Sequence, residues 1–154
     1  MTSDAIVATV HRAWAADLEP GTLYELLRLR VEVFVVEQAC PYLELDGRDI
    51  EDRARHYWLG GDGRPEPVLG ALRLLKEPDG EYRIGRLCTA RSVRGHGLGR
   101  RLMEAVLAEI GDRPCVLDGQ EHLADFYRGY GFAPTAAAYD WDGVAHLPMR
   151  RPAR

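Results

Sequence analysis

The stretch Ser92-Val93-Arg94-Gly95-His96-Gly97-Leu98-Gly99-Arg100-Arg101 most restricts what this chain can fold into. Glycine at three alternate positions lets the backbone curl tightly and approach another molecule, since none carries a Cβ. Leu98, Leu102, Met103, Val106, Leu107 and Ile110 follow at helical spacing, which predicts a helix over about Leu98 to Ile110. A helix that starts on such a turn presents unpaired N–H groups and the positive end of its dipole. With Arg94, Arg100 and Arg101 alongside, the turn is suited to an anion such as phosphate. Two familiar phosphate loops do not fit. No Gly-Lys pair exists to complete a P-loop, and G-x-G-x-G followed by Arg100 departs from the dinucleotide fingerprint. On the loop alone, a plain tight turn with solvated arginines stays open.

The rest of the chain supplies the frame. At 154 residues it reads as one domain, 1–154, long enough to bury a substantial core. A net charge of -4 offers no general attraction to nucleic acid or to an anionic membrane, and no apolar run reaches membrane-spanning length. Cys40, Cys88 and Cys115 lack Cys-x-x-Cys spacing, so reduced thiols in a cytoplasmic protein are expected. No His or Cys pair stands at ligand spacing, so no metal site is expected. Strands are predicted over Ile6–Trp14, His56–Gly60, Val68–Leu75, Tyr82–Thr89, Cys115–Asp118 and Val144–Arg150. Helices are predicted over Thr22–Val36, with Thr22 and Glu25 as a capping box, and over Gln120–Gly129. Residues 37–55 read as an ordered loop with one helical turn, and residues 61–67 as a hairpin turn. Short links make a meander of the middle strands, and a strand–helix–strand crossover through the glycine turn makes one pair parallel.

Arg94-x-x-Gly97-x-Gly99, between a strand and an amphipathic helix, resembles the signature loop of the GCN5-related N-acetyltransferases (GNAT). Gln120 through Gly131-Phe132 resembles that family's N-x-x-A-x-x-F-Y-x-x-x-G-F region, with Leu123 at the usual alanine position. Arg30-Val31-Glu32-Val33-Phe34-Val35-Val36-Glu37-Gln38, Cys40-Pro41-Tyr42, Asp46-Gly47-x-Asp49, His56 and Asp142-Gly143-x-x-His146 look like its ElaA-type branch. The resemblance covers nearly the whole chain. It implies an α+β acyl-CoA N-acyltransferase fold, a twisted mixed sheet of six or seven strands flanked by about four helices. It also implies acetyl transfer from acetyl-CoA to a primary amine, without metal.

Residue by residue, the resemblance places the pyrophosphate of acetyl-CoA on the backbone of Arg94, Gly95, His96, Gly97, Leu98, Gly99 and Arg100. It places the pantetheine arm along Leu87, Cys88 and Thr89, whose strand should splay from the one starting at Cys115. Gln120 and Tyr127 fall on the second motif. Tyr127 is the candidate acid for the departing thiolate, although its spacing reads equally as a core aromatic. Glu37 and His56 are taken as contributors to the acceptor site. The base itself stays open among Glu37, Asp46, Asp49, His56, His146 and a water. The acidic run from Glu44 to Asp52 points to a cationic acceptor or to solvated surface. A module that binds an acyl-CoA without turnover, and transfer of another acyl group, are the competing readings. An exposed sheet edge makes a homodimer a candidate assembly, and nucleic acid and membrane are not expected partners.

Overall fold

The computed structural model describes residues 6–61 and 67–154, so the core of the expected 61–67 turn lies outside the described residues. Eight strands form one mixed sheet: β1 (Ala8–Trp14), β2 (Arg55–Gly61), β3 (Gly70–Lys76), β4 (Tyr82–Thr89), β5 (Cys115–Gln120), β6 (Ala133–Pro134), β7 (Tyr139–Trp141) and β8 (Val144–Arg151). Their order is β1-β2-β3-β4-β5-β8-β6, with β7 on the same edge of β8 as β6. Strands β1 to β4 form the antiparallel meander that their short connections dictate. Among the described residues, only β4 and β5 run parallel, joined across α2 (Leu98–Ile110). Beyond the expected six or seven strands come β6 and β7, of two and three residues, too short to show alternation. A two-residue turn at Asp142-Gly143, both with positive φ, links β7 to β8.

Burial alternates on β5 and β8 and is continuous on β3, Gly70 to Leu75, so the sheet has a core on each face. Leu98, Leu102, Met103, Val106 and Ile110 of α2 pack on Leu59, Leu72, Leu74, Ile84, Leu117 and Met149. Each such side chain, fully buried, contributes about 1.5–3 kcal/mol. On the opposite face, Leu26, Leu29 and Val33 pack on Val68, Ala71 and Cys88. Leu26 and Leu29 belong to α1 (Pro20–Val31), which begins two residues before the predicted start because Pro20 suits the first turn. The expected capping box is therefore not made: Glu19 is the N-cap, no side chain caps it, and Glu25 instead lies 3.6 Å from Arg28. Past Val31 the chain widens into a π-helical turn, Glu32–Glu37. The second predicted helix is also shorter, a 3-10 turn at Glu121–Leu123 followed by α3 (Ala124–Arg128). Gln120 closes β5 and does not belong to that helix. Among the described residues, no helix is long and apolar enough to cross a membrane.

Candidate active site

The β4–β5 ladder holds for two residue pairs, Tyr82 with Cys115 and Arg83 with Val116, and then opens. Beyond it the strands enclose a cavity of about 670 Å3. A bulge on the other edge of β4 helps to open it. Ala71 pairs with Cys88 and Arg73 with Gly85, so Arg86 and Leu87 together face one residue of β3. Arg86 takes the left-handed conformation, φ 56°, which disfavours a side chain. Its guanidinium is gripped at both ends: Nε lies 2.7 Å from Glu44 Oε1, and Nη2 donates to the Glu44 carbonyl at 3.0 Å.

Glu44 is one node of a buried charge cluster that the sequence did not reveal. Arg30, 1% exposed, donates from Nε and Nη2 to Glu44 at 3.0 and 3.1 Å and from Nη1 to Asp49 at 2.5 Å. Arg73 donates to both oxygens of Asp46, at 2.8 and 3.0 Å, and to Asp49 at 3.1 Å. Arg30, Arg73 and Arg86 thus balance Glu44, Asp46 and Asp49. Glu44, Asp46 and Asp49 are therefore not free attractants for a cation, while Asp52 at the end of the run lies on the exposed surface. Burial pulls Asp46 upward, yet the Arg73 hydrogen bonds, the Arg48 N–H and the charges of Arg73 and Arg86 outweigh it and bring its pKa to about 2. A usable signal existed: arginines within a helix and two strands, equal in number to Glu44, Asp46 and Asp49, of which Glu44 and Asp49 are buried.

His56 belongs to this cluster and not to the cavity wall. It is 3% exposed, its Nε2 lies 2.9 Å from the Asp49 carbonyl, and burial pushes its pKa down. The expectation that it contributes to an acceptor site is corrected accordingly. A strand residue on the face covered by the Arg30 network is drawn into that network.

Eight of the other expected residues gather on the cavity, and Gly95, His96, Gly97, Leu98 and Arg100 are not in its wall. Leu87, Cys88, Thr89, Arg94, Gly99, Gln120 and Tyr127 all line it, as does Glu37. At its mouth Gly97, φ 76°, caps α2, and the first intrahelical bond runs from Arg101 N–H to the Gly97 carbonyl at 3.1 Å. The N–H groups of Leu98, Gly99 and Arg100 therefore have no partner within the helix. A Cβ on Gly99 would meet nothing within 4 Å, so the fold itself does not require glycine there. Leu98 is buried in the core, so only its backbone faces outward. His96 and Arg100 are exposed beside the turn.

Arg94 turns away from the helix end. It donates to Glu37 at 2.5 and 2.8 Å and to the Thr89 carbonyl at 3.1 and 3.3 Å. These Arg94 hydrogen bonds hold the Glu37 carboxyl below its ordinary range, which makes it a weak proton acceptor. Tyr127 is 7% exposed and stands against Gly119, where a Cβ would fall 2.6 Å from the tyrosine Cε2. Burial alone raises its pKa to about 12. Cys88, in the same cavity wall, is raised to about 12 as well, chiefly by burial. The slot therefore favours neutral thiol and neutral phenol alike. Gln120 Nε2 donates to Gln38 Oε1 at 3.2 Å, tying β5 to the end of the π-helical turn.

The far wall was read only in part from sequence. Cys40 Sγ donates to the Asp142 carbonyl at 3.0 Å, and Tyr42 meets Trp141 edge-on with ring centres 5.9 Å apart. The loop after α1 and the β7–β8 hairpin thereby close one side of the cavity, with His146 beside Trp141. Tyr42 and Trp141, half-exposed aromatics on separate segments, carried no spacing signal. Among the described residues, no group of His, Cys, Asp and Glu side chains could hold a metal ion.

Residues 29–152 match a family model described as an acetyltransferase (GNAT) domain. A UPF0039 protein of Mycobacterium tuberculosis is 52% identical over 147 residues, covering 93% of this chain and 92% of the relative. Protein ElaA of Escherichia coli is 37% identical over 142 residues, covering 88% of this chain and 91% of ElaA. The crystal structure of an acyl-CoA N-acyltransferase from Pseudomonas aeruginosa superposes with a TM-score of 0.86 at 39% identity, covering 94% of this chain and 99% of that one.

Proposed function

Because the chain belongs to the GNAT family of acetyltransferases, we propose that it transfers an acetyl group from acetyl-CoA directly to a primary amine. One observation carries the reading. A helix end with unpartnered N–H groups and a buried tyrosine open onto a single slot between parting strands. The pyrophosphate takes the N–H groups of Leu98, Gly99 and Arg100, and the Gly99 backbone admits close approach. The pantetheine arm lies along Leu87 to Thr89, whose β5-facing main-chain groups have lost their ladder partner.

The chemistry then follows from basicity. The amine attacks the thioester carbonyl, the C–S bond breaks, and its electron pair leaves on sulfur. Burial raises the Tyr127 pKa to about 12, so the phenol keeps its proton at neutral pH and can donate it to the sulfur anion as that anion forms. Glu37 anchors Arg94, and through it the loop, instead of taking a proton.

Thiol release from acetyl-CoA in the presence of an amine panel tests the reading. Tyr127→Phe should lower turnover about 10²–10⁴-fold, the range for a general acid, with CoA affinity retained. Unchanged turnover would remove the acid role. Absence of thiol release by the unaltered protein with every amine would leave a CoA-binding module.

A further inference from the structure

The slot needs a second proton-handling group, and every acid of the charge cluster is already engaged. Asp46 and Asp49 are held by Arg73 and Arg30, Glu37 by Arg94, and Asp118 by Arg83 at 2.7 Å. His56 is buried against the Asp49 carbonyl. His122 is exposed on the turn after β5, and Asp142 is exposed at the tip of the β7–β8 hairpin.

His146 is different. Its Nδ1 lies 2.9 Å from the Val144 carbonyl, which can only accept a hydrogen bond. Nδ1 therefore carries the proton, and in the neutral ring Nε2 is bare. The ring is held in place from the side: it stacks on Tyr139 at 5.9 Å and leans on Trp141 at 5.5 Å. On the strand it pairs directly with Gln120, so the two side chains share one face and both line the slot. That face is the one covered by α1, because the neighbouring Leu147 and Met149 point into the α2 core. Tyr127 packs within the α2 core, on the other face. The slot thus has Tyr127 on one side of the parted strands and His146 on the other.

Resting on the acetyl-transfer reading, we propose that His146 is the general base that takes the proton from the acceptor amine at Nε2. The nitrogen lone pair forms the new C–N bond, one N–H proton passes to His146, and the C–S pair departs as thiolate. Tyr127 supplies the proton that makes free CoA, and the imidazolium proton returns to the tyrosine oxygen through solvent. No proton is gained or lost over the cycle. The titratable and charged groups on the strands packed against His146 are Tyr139 and Asp140 of β7 and Asp118 of β5, the last held by Arg83. On the loop against the hairpin stands Cys40, bonded to Asp142.

The experiment measures thiol release from acetyl-CoA with glycine, lysine, putrescine, spermidine and a tripeptide, taking the fastest amine forward. His146→Phe keeps a ring between Tyr139 and Trp141 and should lose about 10²–10⁴-fold in kcat/KM. It should bind acetyl-CoA as before. His146→Ala should be partly restored by added imidazole, a response that loss of packing would not give. Ring 15N spectra of the unaltered protein should show Nδ1 protonated in the neutral form. Wild-type rates in His146→Phe, no restoration by imidazole, or a neutral ring protonated at Nε2 would each overturn the assignment. An unaltered protein that releases no thiol with any amine would instead overturn the acetyl-transfer reading beneath it.

Discussion

Two loops of this molecule are dense in charge or its equivalent, and they dispose of it in opposite ways. The 44–55 segment buries Glu44 and Asp49 and answers every buried carboxylate with an arginine from α1, β3 or β4. The glycine turn at the head of α2 leaves its N–H groups unanswered. Satisfied groups hold geometry, here the bulge at Arg86 and so the opening of the slot. Unsatisfied groups bind. The acidic run and the glycine turn both look like ligand sites in sequence, and only the second has capacity left for a ligand.

Breaking the first loop should give the largest effect. Arg30→Ala leaves Glu44 and Asp49 buried with one partner fewer, and removing one member of a buried ion network is expected to cost about 3–5 kcal/mol. Urea unfolding would register it, and a shift below about 1 kcal/mol, the range of exposed pairs, would show the cluster to be loosely held. Next comes Gly119→Ala, whose methyl would fall 2.6 Å from the Tyr127 ring. A loss of about 1–3 kcal/mol from overpacking is expected, together with a fall in turnover as the hydroxyl is displaced. Retained turnover would separate the tyrosine from the chemistry.

Acid should sharpen the comparison further. Asp46 has a folded pKa of about 2, below its unfolded value, so its contribution to stability is present above pH ~4 and is lost as the pH falls towards 2. Thermal unfolding between pH 5 and pH 2 should show that loss, and Asp46→Asn should flatten it. The smallest effect on stability belongs to Gly99→Ala. With open space at the Cβ and ordinary helical backbone, it should leave stability unchanged or raise it by up to about 1 kcal/mol. Acetyl-CoA affinity should fall, measured by calorimetry. Unimpaired affinity would return Gly99 to a merely structural place.

The contrast also explains what could be read from the residues. The helix over Leu98–Ile110 and the strand over Tyr82–Thr89 match prediction to the residue, because their patterns are local and glycine flanks the helix at both ends and precedes the strand at Gly80. The seven donor-side residues from Leu87 to Tyr127 that line the slot were found through motifs of fixed spacing. The charge cluster joins positions 14 to 42 residues apart, and nothing local foretells that Arg86 will adopt a positive φ. Gln120 was misassigned to a helix because the motif fixes its distance from Tyr127 and not its secondary structure. For His56 the deciding contact is the Asp49 carbonyl, which reaches it from a separate loop. In physical terms, local rules reached the groups left free for a ligand. Long-range pairing decided which charges were not free.

The two residue pairs that join β4 to β5 have a mechanical consequence. The sheet divides into two plates, β1–β4 and β5–β8, meeting along a short edge at Tyr82 and Cys115, with α2 laid across the first. Two side-chain clasps lie near that edge, Arg83 to Asp118 and Arg150 to Glu81, so the joint is stiffest where the plates meet. A change in slot width that kept both clasps would turn on that edge, moving Arg83 and Val116 least and Thr89 and Gln120 most.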